Sequence, residues 1–190
     1  ELFININDGI KLSDQELRNA ILVPFADEIR KLSFEYGPKL KCIFRRQNVR
    51  LKIDEQLVLL SVYNKYGAGT DISKRAKNSA YADNSAVWHN FKIEGGKKNI
   101  EDTLDLIAKY ANAGFKDVSM LLNLHMLICH INSLKMKILD KEQFFKWFMR
   151  TENARWANKK ILFVNEKRGE SRNYAACCGV ANANTMTARK

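Results

Sequence analysis

Four residues near the start of the chain have the types and spacing to line a site for an anion such as a nucleotide's phosphate: Asn7, Gly9, Glu16 and Arg18. Asn7 either hydrogen-bonds a nucleotide or holds a turn, and Gly9 lets the backbone approach a ligand closely. Glu16 stands three residues after Ser13 in the S-x-x-E pattern, where each side chain bonds the other residue's backbone N–H. It is read first as this cap and second as part of a polar site. Arg18 lies too far into the helix to share an anion with the terminal amides, but its guanidinium can reach a phosphate from the side. Phe3, Ile4 and Ile6 suit a strand, Asn7-Asp8-Gly9 a turn, and Asp14 and Glu16 the positive end of a helix dipole. A strand end, a turn and a helix start meeting at one point leave amide donors for a phosphate. Most such junctions bind nothing, so the corner is a candidate only.

A second candidate is the basic segment 39–52, KLKCIFRRQNVRLK, in which six of fourteen residues are Lys or Arg. Arg45, Arg46, Arg50 and Lys52 are the expected nucleic-acid contacts, each cation that meets a phosphate releasing a counterion. A solvated helix or loop with its apolar members on the core fits the same residues equally well. Lys74, Arg75 and Lys77 form another cluster. His125 and Cys129 share a helical face at i and i+4, yet no third or fourth ligand accompanies them. A packed histidine beside an inert thiol is the better reading, and no metal site is expected. Cys177-Cys178 has only Arg172 nearby to activate it. There is no G-x-x-x-x-G-K-[ST] or G-x-G-x-x-G loop, so a nucleotide site of Walker or Rossmann type is excluded.

The elements that would position these residues are mostly helices. From Ser13, an apolar stripe of Leu17, Ala20, Ile21, Ala26, Ile29 and Leu32 runs toward a core, with a kink or break expected at Val23 before Pro24. Asp54 or a neighbour opens a helix that Gly67 closes. Asn99, with Asp102, is expected to cap the next long helix. Asp117 or Ser119 opens a segment from Met120 to Ile131 that is apolar nearly all round, the expected centre of a bundle. Asp140 and Gln143 repeat the capping pattern before an aromatic stripe of Phe144, Phe145, Trp147 and Phe148, which is read as core. From Thr151 the chain is polar and basic, and residues 175–190 are a small-residue tail.

The totals agree with a folded, helix-rich protein: 46% apolar residues, nine glycines and two prolines in 190 residues. The formal net charge of +11 favours a polyanionic partner, DNA or RNA above all. Four scattered cysteines imply neither zinc ribbon nor disulfide framework, and a reducing cytoplasmic setting follows. No apolar run of about 20 residues is present, so no membrane partner is expected.

The run from Phe3 to Ala20, FININDGIKLSDQELRNA with its ordered Asn7, Gly9, Leu12, Gln15, Glu16, Leu17, Arg18, Asn19 and Ala20, resembles the second signature of GmrSD-type restriction proteins. In that bacterial and phage family it reads approximately F-x-R-I-N-x-G-x-x-L-x-x-Q-E-L-R-N-A. Asn5 and Ile10 depart from it, replacing an arginine and a frequent second glycine. Arg50 to Leu57 resembles the acidic helix-opening segment that follows. The family's D-G-Q-Q-R run, in a domain like ParB and sulfiredoxin, occurs nowhere in this sequence, and neither does an HNH motif. The resemblance implies the helical part of a DNA-acting, nucleotide-dependent nuclease of bacterial or phage origin. A nucleoside triphosphate and a divalent metal would then be held mainly by the upstream domain, itself a partner. The alternative is a non-catalytic nucleic-acid-binding or protein-interaction module keeping the scaffold. The expected fold is mainly α, a single domain over 1–190 of about six to eight helices with a short β segment near the N-terminus. The chain, opening on Glu1, is expected to be a piece of a larger α+β protein.

Overall fold

A computed structural model of the chain describes residues 12–42, 51–67, 73–82, 85–111, 118–157, 162–165 and 170–173. It is helical, as the apolar spacing predicts. Among the described residues there are eight α-helices: α1 (Asp14–Asn19), α2 (Pro24–Tyr36), α3 (Lys52–Tyr66), α4 (Lys74–Ser79), α5 (Ala86–Lys92), α6 (Gly96–Tyr110), α7 (Val118–Ser133) and α8 (Lys141–Ala157). A 3-10 turn at Lys39–Cys42 follows α2. The expected β segment near the N-terminus lies outside the described residues. An antiparallel pair instead joins β1 (Leu162–Asn165) to β2 (Glu170–Asn173), with Leu162 opposite Asn173. No helix among the described residues is long and apolar enough to cross a membrane.

Local signals set several of the boundaries. Ser13 and Glu16 form the reciprocal capping box. The helix then breaks, and of the expected apolar stripe Leu17, Ala20 and Ile21 before the break are exposed while Ala26, Ile29 and Leu32 after it are buried. Pro24 opens α2 in the first turn, where its missing N–H costs nothing. Gly67, at φ 75°, ends α3, and Asp140 accepts from the Gln143 N–H at 2.9 Å at the start of α8. The expected cap at Asn99 is corrected: α6 starts at Gly96, behind Gly95 in the left-handed conformation at φ 83°. That backbone is cheap for glycine, and it places Asn99 inside the helix with its side chain free to bond sideways.

The helix at the centre is α3, not α7. Every residue from Leu57 to Val62 is buried, and α3 packs against α1, α2, α4, α5, α6 and α7. A helix covered on all sides needs partners on all sides, and these supply Phe25, Ile29, Leu32, Phe91, Ile100, Leu104, Ile107 and Leu121. In α7, Met126, Leu127 and Ile131 are only half-buried. Phe25 is ringed by Tyr81, Phe91 and Trp88 with centroids at 5.2, 5.6 and 6.1 Å, all edge-on, the arrangement aromatic quadrupoles favour. Of the aromatic stripe of α8, Phe145 and Phe148 are buried and Phe144 half-buried, as predicted, whereas Trp147 is exposed.

Gly96, the first residue of α6, lies tight against Asn90 and Phe91 of α5. A Cβ there would stand 2.6 Å from Asn90 Oδ1 and 3.0 Å from both Asn90 O and Phe91 Cα. Two of the three obstacles are backbone, which cannot turn aside. Gly96→Ala is therefore expected to destabilise by about 1–3 kcal/mol, the usual range for overpacking. Urea unfolding checks this, and an unchanged midpoint would contradict the close approach.

Candidate functional site

The candidate residues of the opening motif divide. Asn7 and Gly9 lie outside the described residues. Glu16 is a cap: one carboxylate oxygen accepts from the Ser13 N–H at 2.5 Å, while Ser13 Oγ accepts from the Glu16 N–H at 3.3 Å. Arg18 turns inward and is 3% exposed. Its Nε donates to Gln15 Oε1 and its NH1 to Asn78 Oδ1, both at 2.9 Å. Gln15 donates in turn to Asn19 Oδ1 at 2.7 Å and to the Tyr81 hydroxyl at 3.0 Å. Asn19 donates to Asp54 Oδ2 at 2.7 Å, and Ser33 Oγ to Asp54 Oδ1 at 2.6 Å. Gln15, Arg18 and Asn19 thus tie α1 to α2, α3 and α4 through a buried polar network. Burial pushes the Tyr81 hydroxyl up to about 12, so it stays protonated and able to accept from Gln15.

The predicted basic surface divides too. Arg45, Arg46 and Arg50 lie outside the described residues. Lys52 is exposed and ion-pairs with Glu55 at 3.3 Å. In the second cluster, Lys77 meets Glu55 and Lys74 meets Asp14, each at 2.7 Å. The carboxylates that offset Lys74 and Lys77 come from other elements, α1 and α3.

A groove of about 920 Å³ opens at the other end of α3, where Tyr63, Asn64 and Gly67 meet the α5–α6 turn, the start of α6, the last turns of α7 and the 134–141 connection. With 1.5 Å of rise per residue, Lys52 is about 18 Å along the helix from Asn64. Asparagines from three helices make the floor. Asn64 Nδ2 donates to Gly96 O at 3.1 Å, Asn99 Nδ2 to Asn64 Oδ1 at 3.0 Å, and Asn132 Nδ2 to Asn99 Oδ1 at 2.7 Å and Asp102 Oδ2 at 3.2 Å.

The groove's charged lining is Lys98, Lys135, Lys137, Lys141, Glu94 and Asp102, with His130 beside them. All four lysines are exposed, and none has a carboxylate partner among the described residues. Elsewhere Lys31, Lys52, Lys65, Lys74, Lys77, Lys97 and Lys146 pair with carboxylates, and Lys92 and Lys109 lie over the Trp88 and Tyr110 rings at 5.8 and 5.2 Å. Glu94 is offset: the Asn90 amide at 2.8 Å and Lys65 at 3.2 Å hold its carboxyl below the usual range. The local balance is therefore positive. Sequence reasoning missed this site because its lysines are scattered; the one signal was the Lys135-x-Lys137 alternation with Met136 and Ile138.

His125 and Cys129 lie under the groove and behave as a packed pair. His125 is fully buried, 2.9 Å from Thr103 Oγ1 and 3.5 Å from Cys129 Sγ, with the Tyr63 ring edge-on at 6.0 Å. Burial lowers the imidazole to about 3 and raises the thiol to about 12. A neutral imidazole and a protonated thiol offer no thiolate nucleophile at neutral pH. Among the described residues, no three His, Cys, Asp or Glu side chains converge to hold a metal ion.

The depressed histidine sets a pH dependence. Below about 6.5 the unfolded chain gains a proton at His125 that the folded chain refuses, so protonation favours unfolding. Stability from this group is complete above about pH 7.5 and falls by about 1 kcal/mol from pH 6.5 to 5.5, steepening toward about 1.4 kcal/mol per unit below. Urea unfolding of the native chain and of His125→Gln across that range checks it: the variant should lose this slope, and equal slopes would contradict it.

No family model, curated protein or solved structure matches the chain.

Proposed function

We propose that the chain is a nucleic-acid-binding helical module and that the lysine-rimmed groove is its contact surface. The observation that carries this reading is the contrast among cations. Seven described lysines are offset by carboxylates and Lys92 and Lys109 lie over aromatic rings, whereas the four around the groove are exposed with neither kind of partner among the described residues. Phosphates on successive nucleotides supply anions at a spacing that several such lysines can meet together, with counterion release favouring the complex. The net charge of +11 steers the encounter.

Anisotropy of a labelled oligonucleotide at rising salt tests it. If four phosphates are neutralised, affinity should fall about 50-fold between about 50 and 200 mM salt, a log–log slope of about −2.8 for a single strand. A flat response would overturn the reading.

A second reading keeps the resemblance to GmrSD-type proteins, with this module bringing DNA to a nucleotide-dependent nuclease centre formed by a D-G-Q-Q-R domain. It is favoured by the way Gln15, Arg18 and Asn19 of the resembling run are built together into α2, α3 and α4. Calorimetric titration with a nucleoside triphosphate and magnesium tests it. Saturable binding weakened by substitution at Asn7 or Gly9 supports it, and no binding by a chain joined to such a domain would contradict it.

A further inference from the structure

We infer that the groove takes an unpaired base of a single-stranded nucleic acid, with Asn132 and Asp102 accepting from the base's amino edge and the four lysines holding the flanking phosphates. This deepens the nucleic-acid reading above and rests on it.

The shape of the surface decides between single strand and duplex. A duplex keeps its base edges inside its own grooves, where a projecting helix or ribbon reaches them. Here the protein is concave, and its polar floor lies between the ends of α3, α6 and α7. A base can reach that floor only if it is free to leave its stack, as in single strands and loops.

The floor's chemistry points to the kind of edge it would read. Both Nδ2 bonds of Asn132 are spent within the protein, on Asn99 and Asp102. Asn132 Oδ1 and Asp102 Oδ1 have no protein partner among the described residues, and neither is sealed from solvent. Two neighbouring acceptors call for N–H donors. Cytosine, adenine and guanine each carry an exocyclic amino group, and a carboxylate accepting from cytosine N4 is an established pairing. Thymine has no amino group to offer. Met126, Met136 and Ile138 line the same groove and give the ring faces an apolar contact. Met136, at 59% exposed, gains most by being covered.

The test is anisotropy with labelled oligo(dC), oligo(dT) and a duplex of equal length, at one salt concentration, for the native chain and for Asp102→Ala. Single strands should bind about tenfold tighter than duplex, and oligo(dC) about fivefold tighter than oligo(dT). In Asp102→Ala the dC preference should vanish while oligo(dT) binds at least as tightly as it does to the native chain, because one negative charge has left the groove. A circular dichroism spectrum matching the native chain shows that the variant is folded. Lys135→Gln with Lys137→Gln should weaken both homopolymers equally. Salt-dependent binding with duplex equal to or tighter than single strand would overturn this inference and leave the nucleic-acid reading standing. Binding to none of the three would overturn both.

Discussion

Replacing Lys98, Lys135, Lys137 and Lys141 together by glutamate should lower the affinity for a single-stranded oligonucleotide at least 100-fold at about 100 mM salt. The size follows from counting charges. Losing four phosphate contacts removes about 2.8 from the log–log salt slope, and four glutamates add repulsion where attraction stood. The four side chains are exposed and unpaired, so their replacement breaks no ion pair and should leave the melting temperature within a few degrees. The control is a double reversal at Lys31 and Lys146. These are likewise exposed but offset by Glu28 at 2.6 Å and Glu142 at 2.6 Å, and neither lines the groove. That variant should bind within about twofold of the native chain, since long-range steering alone is screened beyond about 10 Å. An equal loss in both variants would mean that net charge, and not the groove, carries binding.

Asp54→Ala should destabilise the fold by about 3–5 kcal/mol, the range for removing one partner from a buried charged cluster. Asp54 is 2% exposed and sits in the first turn of the central helix. Its loss strands the Asn19 amide and the Ser33 hydroxyl, and each buried group left unsatisfied costs about 1–3 kcal/mol. It also removes the carboxylate nearest the interior end of the network, in which Arg18 is buried and Arg30 NH1 donates to Asn19 O at 2.8 Å. Asp54→Asn keeps the shape and one acceptor, and should cost less than half as much. Urea unfolding reads both. A loss below about 1 kcal/mol for Asp54→Ala would show that α1 is held by apolar contact and not by this network.

How much of this was legible in the sequence depended on distance along the chain. Ser13 with Glu16, Pro24, Gly67 and Asp140 act on their own turns, and each stands at the boundary its chemistry predicts. The place of α3 was not legible: Asp54 reads as a helix opener, and Ser61, though compatible with an inward face, marks no apolar contact. Both are buried, Asp54 in the network and Ser61 donating to Leu57 O at 2.8 Å. α7 looked more central because its apolar residues are denser, yet three of them only half-close against their neighbours. The charge clusters conceal their partners for a related reason. Lys74 and Lys77 stand close in sequence, and carboxylates far away in sequence, Asp14 and Glu55, come to meet them. The groove collects its cations from residue 98 and from residues 135–141, so no charge run marks it. Arg18 illustrates the same limit: its type suits a phosphate, but its partners, Gln15 and Asn78, are set by how α1 docks beside α4.

The most direct measurement is the reactivity of each lysine toward an acetylating reagent, read by mass spectrometry with and without a saturating single-stranded oligonucleotide. If the groove is the contact surface, Lys98, Lys135, Lys137 and Lys141 become protected while Lys31 and Lys146 react as before. Unchanged labelling of the groove lysines in a chain shown to be saturated would contradict that assignment.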